Sequence, residues 1–206
     1  MSTSDDQLEG AEGAKPARRR PRPIFLVIGV VLAVALAAGL FGVGLQVTGG
    51  GSGRPGKGSA TPHFALPVLG STHGKVAVPA DGGGGGRPAI LLFFASWCSP
   101  CQKEIPALAA TYRHQEADGS KLRKVALIGV DGNDPTANAL AFVHSSGVTF
   151  PVGADLAFTV TQTLFDFNYL PEAVFVEGNG TIAGIHYGAL STSAFVSWER
   201  KLLAGG

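Results

Sequence analysis

Apolar residues along this chain fall into three kinds of pattern, and each predicts a different kind of element. The first is one long run, Ile24 to Val47, reading IFLVIGVVLAVALAAGLFGVGLQV, in which Gln46 is the only strongly polar side chain. A helix rising about 1.5 Å per residue needs about 20 such residues to cross a bilayer, so 24–47 predicts a transmembrane helix. The run is longer than the core of about 7–15 residues in a cleavable signal peptide, although Ala35-Leu36-Ala37 mimics a cleavage site in mid-run. The second pattern is short and strand-like. Ala89 to Phe94 (AILLFF) and Val125 to Val130 (VALIGV) are continuous apolar runs, as expected of strands buried on both faces. His63 to Leu69 and Lys75 to Val78 flank Gly74 and predict a hairpin. Ala173 to Val176 and Thr181 to Tyr187 flank the turn Glu177 to Gly180 and predict another.

The third pattern is helical. A helix is expected from about Ser99 to Gln115, and a second with Asp134 as its N-cap, ending near Ser146 before Gly147. A short helix is expected from Asp155 to about Phe165. Ser191 caps a last one, whose Phe195, Trp198, Leu202 and Leu203 recur at helical spacing and read as core. Strands alternating with helices and closed by a hairpin imply an α/β domain over 63–206, a central mixed sheet flanked by helices.

Charge orients this plan. Arg18, Arg19, Arg20 and Arg22 precede the long run, and only Arg54 and Lys57 follow closely. The positive-inside rule then leaves the N-terminus in the cytoplasm and everything after about residue 48 outside. Pro21 and Pro23 spoil the flanks of a twin-arginine signal. Residues 1–23 read as a disordered cytoplasmic tail and 48–62 (TGGGSGRPGKGSATP) as a flexible tether. The glycines at 82–86 predict an exposed loop. With a net charge of +1 and 15% charged residues, nothing past the arginine cluster suggests nucleic-acid binding.

Both cysteines lie in one stretch, Trp97-Cys98-Ser99-Pro100-Cys101. A C-x-x-C pair that follows a buried strand and opens a helix is the thioredoxin-like arrangement. At the helix N-terminus, Cys98 faces free backbone N–H groups and the positive end of the dipole, which favour a thiolate. Cys101, one turn inside, can attack a mixed disulfide formed at Cys98. Pro100 is tolerated in the first turn, and Pro106 is expected to kink the helix. Glu104 shares the helical face of Cys101, where a carboxylate can raise a thiol pKa or carry a proton. Other readings compete. A disulfide closing so short a loop removes little chain entropy, and zinc needs about four ligands where no second cysteine pair exists. Copper can use two thiolates and one imidazole, but His63, His73, His114, His144 and His186 are scattered. A peroxidase would carry a Pro/Thr-flanked cysteine motif, which is absent.

Phe93 to Pro106 (FFASWCSPCQKEIP) resembles the F-W-A-x-W-C-x-x-C-x-x-E-x-P signature of membrane-anchored, thioredoxin-like thiol–disulfide oxidoreductases of the TlpA/ResA and DsbE/CcmG types. Phe94 replaces the usual Trp. Gly147 to Val152 (GVTFPV) resembles the segment before the family's late helix. Leu170 to Ile182 (LPEAVFVEGNGTI) resembles the DsbE-type P-E-T-F-L-I-D-x-x-G-x-I, with Ala173 for Thr and Glu177 for Asp. His186-Tyr187-Gly188 matches the trailing H-x-G. The resemblance implies a thioredoxin-like fold with Pro171 as a cis-proline facing the cysteines. Leu170 would offer backbone to a substrate segment, and Glu172 and Trp97 would lie beside the site. It further implies an extracytoplasmic dithiol reductase of protein disulfides with Cys98 and Cys101 as a redox-active disulfide, tuned by Glu104. No cofactor and no metal is implied. The family substrate is apocytochrome c, and the electron donor a membrane partner of the CcdA type. Run in reverse, the same residues would make a disulfide-forming oxidase, and as ligands they would make a copper-delivery module.

Overall fold

The computed structural model describes residues 54–78 and 86–205. The expected cytoplasmic tail, the transmembrane run 24–47 and most of the glycine loop 82–86 lie outside the described residues. Among the described residues no helix is long and apolar enough to cross a membrane.

Five strands form the central sheet: β3 (Ala89–Phe94), β4 (Ala126–Gly132), β5 (Val152–Asp155), β6 (Glu172–Val176) and β7 (Ile182–Tyr187). A separate hairpin, β1 (Phe64–Pro67) and β2 (Lys75–Val78), precedes them. Their order is β5-β4-β3-β6-β7, with β3, β4 and β5 parallel and β6 and β7 antiparallel to their neighbours. This is the expected mixed sheet. Every residue of β3 is buried, and its side chains alternate between two cores as period two requires. Ile90, Leu92 and Phe94 join Ile105, Leu108, Phe195 and Leu202, the inward faces of α1 (Ser99–Ala117) and α3 (Thr192–Ala204). Leu91 and Phe93 join Val130, Val174, Phe165 and Phe167 on the other side. There the cover is an aromatic cluster, in which Phe93 meets Phe165 and Phe167 with ring centroids 5.0 Å apart in each case.

The β1–β2 hairpin docks on the open edge of β5, through a bridge between Val68 and Gly153 and a bond from Leu69 N–H to the Val152 carbonyl (2.8 Å). At the opposite edge, residues 54–62, which the sequence assigns to a tether, are held against the domain. Ile182 N–H bonds the Ser59 carbonyl (2.9 Å), and Gly58 N–H bonds that of Ile182 (2.8 Å). An unpaired strand edge offers donors and acceptors to any extended segment, even a glycine-rich one.

Two expected helices differ. Asp134 does not cap α2 (Thr136–Ser145); Pro135 holds the cap position, with no side-chain cap bond. The carboxylate of Asp134 turns instead to Ser96, whose N–H and hydroxyl both reach it. The segment expected to be helical from Asp155 begins as the end of β5, and only Thr159–Leu164 form a single π-helical turn. Asp155 sets that turn by accepting from the N–H groups of Val160 (3.1 Å) and Thr161 (2.8 Å). The last helix is as expected, with Ser191 accepting from Ala194 N–H. Its Trp198 stacks on Phe175 with centroids 4.0 Å apart.

The stack depends on Gly184 of β7. A Cβ there would lie 2.6 Å from Trp198 Cη2, the far edge of a ring already pressed on Phe175. Gly184→Ala is expected to destabilise the domain by about 1–3 kcal/mol through overpacking, measured as a lower urea midpoint at unchanged slope.

Candidate functional site

Strand β3 delivers the chain to the sheet's C-terminal edge, where Ala95 to Cys98 turn into α1. Cys98 N–H bonds the Ala95 carbonyl (3.2 Å), and Cys98 itself is the N-cap of the helix. Its sulfur accepts from the N–H of Cys101 (3.3 Å), taking the place an oxygen occupies in an ordinary cap. The two cysteines form a disulfide with Cα atoms 5.2 Å apart. Cys101 is sealed in the core at 0% exposure, whereas Cys98 keeps 4%. An incoming sulfur therefore meets Cys98 first.

The turn is clamped from two sides. Asp134 accepts from Ser96 N–H (2.5 Å) and Ser96 Oγ (2.9 Å), and Gln102 Nε2 donates to the Ser96 carbonyl (2.7 Å). Trp97 is more than half exposed, yet its indole N–H is anchored on the Asn133 carbonyl (3.0 Å). An aromatic face is thus presented in fixed orientation beside Cys98.

Of the residues expected at the site, Trp97, Cys98 and Leu170 do come together. They line one groove of about 280 Å³ with Ser99, Pro100, Phe158, Asn168 and Tyr169. The Leu170–Pro171 peptide bond is cis. Glu104 faces a second groove, of about 510 Å³, together with Lys103, Leu190 and Thr192. The two grooves meet only at the Ser99–Pro100 ridge. Among the described residues no histidine lines either one.

Glu104 is buried, and its Oε2 has no hydrogen-bond partner. Burial raises its pKa to about 7, opposed by a bond from the Leu190 backbone. Glu172 is also buried and also raised to about 7 by burial, with Arg54 pulling the other way. The two glutamates do not share a pocket. In register with Phe93 and Tyr187, Glu172 belongs to the sheet face of the aromatic cluster, where Arg54 lies over the rings of Phe167 and Tyr187. Glu104 belongs to α1 on the other face.

Asp131 is absent from the sequence-based site. The apolar run stops at Val130, but β4 continues to Gly132 and carries Asp131 into the interior at 0% exposure. The available signal was an acid directly following a buried strand at the sheet edge that carries the cysteines.

The pH dependence of Glu104 has a definite sign. An unfolded glutamate ionises near 4.5, whereas the folded one holds its proton to about 7. The stability contributed by the neutral group is fully present below the unfolded pKa and is lost as pH rises through about 7. Against Glu104→Gln, the native protein is expected to lose on the order of 3 kcal/mol between those limits. Urea unfolding of both proteins at a series of pH values measures the difference; parallel stability curves would refute it.

Comparison with known proteins agrees with this geometry. Residues 58–185 match the AhpC/TSA family. The thiol-disulfide oxidoreductase ResA of Bacillus subtilis (strain 168) is 29% identical over 187 residues, covering 91% of this chain and 97% of ResA. ResA of Oceanobacillus iheyensis is 31% identical over 106 residues, about half (52%) of each chain. A crystal structure of a putative thiol:disulfide interchange protein DsbE from Chlorobium tepidum superposes with a TM-score of 0.58 at 25% identity, covering 74% of this chain and 100% of that one. With a cysteine pair capping α1 on such a sheet, the chain belongs to the AhpC/TSA family, as a thiol–disulfide oxidoreductase of the ResA and DsbE type.

Proposed function

We propose that this oxidoreductase works outside the cytoplasm, anchored by residues 24–47, as a reductase of protein disulfides in cytochrome c maturation. The observation that carries the reading is the pairing of a Cys98 that lines the groove at a helix N-terminus with a sealed Cys101 one turn inside, next to a buried carboxyl that holds its proton to about neutral pH.

The Cys98 thiolate attacks one sulfur of the substrate disulfide, the other sulfur leaves as a thiolate, and a mixed disulfide forms. Cys101, deprotonated, then attacks Cys98 Sγ and releases the second substrate thiol. Two electrons reach the substrate, and the chain is left with the Cys98–Cys101 disulfide. Glu104 is the group suited to take the Cys101 proton, since its pKa lies near the working pH. An extended substrate segment fits the groove between Trp97 and Leu170, next to Pro171, where its apolar side chains meet Phe158 and Tyr169. Glu172 sets the charge beneath that segment from the other sheet face. A membrane protein of the CcdA type would return the electrons. An anchor holds the domain near that donor at high effective concentration.

The likeness to ResA of Bacillus subtilis, a thiol-disulfide oxidoreductase, supports the exchange chemistry. The arginine cluster before a charge-free run supports the location. The substrate follows from the family resemblance: an apocytochrome c must present reduced C-x-x-C-H thiols for haem attachment. Cys101→Ser is expected to accumulate a mixed disulfide at Cys98 with apocytochrome c or a C-x-x-C-H peptide, and Cys98→Ser is expected to accumulate none. Mass spectrometry of trapped adducts decides; a trap filled by oxidised secreted proteins, with no apocytochrome, would reverse the electron flow.

A further inference from the structure

Asp131 has a use that the exchange steps above do not draw on. Among the described residues it is the one carboxyl group with both oxygens buried and without a backbone or hydroxyl donor, and the carboxyl of Asp134 faces it. It pairs across β4 with Phe94, the last residue of β3, and with Ala154 of β5. The charged groups that act on it are both acids: Asp134 from the loop after β4 and Asp155 from β5. Asp155 is committed to Val160, Thr161 N–H and Thr161 Oγ1, and Asp134 to both donors of Ser96.

Asp134 and Asp155 are thus each held by backbone N–H and hydroxyl donors, and Asp131 is the member of the trio without such donors. We propose that Asp131 is a positioning residue for Cys98: while it carries a proton, Asp134 can hold Ser96 and the turn that presents Cys98 and Trp97. When that proton leaves to solvent base, two buried carboxylates oppose each other with no cation between them. The response open to the fold is for Asp134 to withdraw from Ser96, which has only Gln102 on its carbonyl to keep it in place. Burial, then the charge of Asp134 and a hydrogen bond shared with it, then the charge of Asp155 put the pKa of Asp131 at about 7, so the clasp loosens near neutral pH. A simple thiolate grows more reactive as pH rises; a loosening turn works against that trend.

The inference rests on Cys98 being the attacking thiol, and its test is read without substrate. In the full-length reduced protein in detergent micelles, the Ser96 amide resonance and the Asp131 carboxyl carbon are expected to titrate together with a midpoint of about 7. Asp131→Asn is expected to abolish the Ser96 titration, and Glu104→Gln to leave it in place. The ratio of Cys98 alkylation rates at high and low pH should be larger in Asp131→Asn than in the native protein. A Ser96 amide that stays fixed while Asp131 titrates, or one that titrates unchanged in Asp131→Asn, overturns the proposal, as does an unaltered alkylation ratio. Should the variant fail to fold, co-titration in the native protein decides alone. Loss of activity in a substrate assay would count against the proposed reductase and leave the amide result standing.

Discussion

Burial of β3 on both faces is the constraint from which the rest of the molecule follows. A strand whose six residues are all enclosed has to be covered above by α1 and α3 and below by an aromatic cluster, and it has to have neighbours on both edges. Parallel β4 and antiparallel β6 meet that requirement. One consequence is chemical. The end of β3, the end of β4 and the start of β6 arrive at the same edge of the sheet, bringing Cys98, Asp134 and the Leu170–Pro171 bond to one neighbourhood. The cysteines are reactive because of where β3 stops: at a helix N-terminus, where backbone N–H groups face the sulfur.

The same burial explains why several acids of this domain ionise near neutral pH. Glu104, Asp131, Glu172 and Glu199 are all raised to about 7, and in each the largest cause is desolvation. Their surroundings separate their uses. Glu199 accepts from Gln115 Nε2 (2.8 Å) and ties α3 to α1, a structural bond. Glu172 is partly balanced by Arg54, from the segment that leads into the domain. Glu104 stands one turn past Cys101 with an unpartnered oxygen. The charged groups that act on Asp131 are both acids. One physical cause thus supplies groups of similar pKa, and topology assigns each to a different task.

Residues whose behaviour depends on their sequence neighbours were readable in advance. Alternation and apolar runs located β3 and both hairpins; Ser191 announced its helix; and the spacing of Cys98, Cys101 and Glu104 along one helical face follows from 3.6 residues per turn. Asp134 was misread because a good N-cap residue beside a helix start looks local, whereas its carboxylate is taken by Ser96, 38 positions earlier. Asp155 was misread in the same way, as a helix start, when it ends a strand and sets a π-helical turn. Residues 54–62 have a linker's composition, but a free strand edge selects backbone, which composition does not describe.

The order of short- and long-range information divides this protein cleanly. By itself the sequence determined the mixed α/β plan, the position of the cysteine pair at the mouth of a helix, and the candidacy of Glu104; the Leu170–Pro171 segment came in through the family resemblance. Only tertiary structure decided that Glu104 and Glu172 lie on opposite faces of the sheet, that two grooves meet at Ser99–Pro100, and that Asp131 is enclosed without a backbone or hydroxyl donor. The reason is that periodicity encodes which way a side chain points within its own element. Desolvation, register and hydrogen-bond partners belong instead to pairs of elements far apart along the chain, and come into being only when the sheet closes.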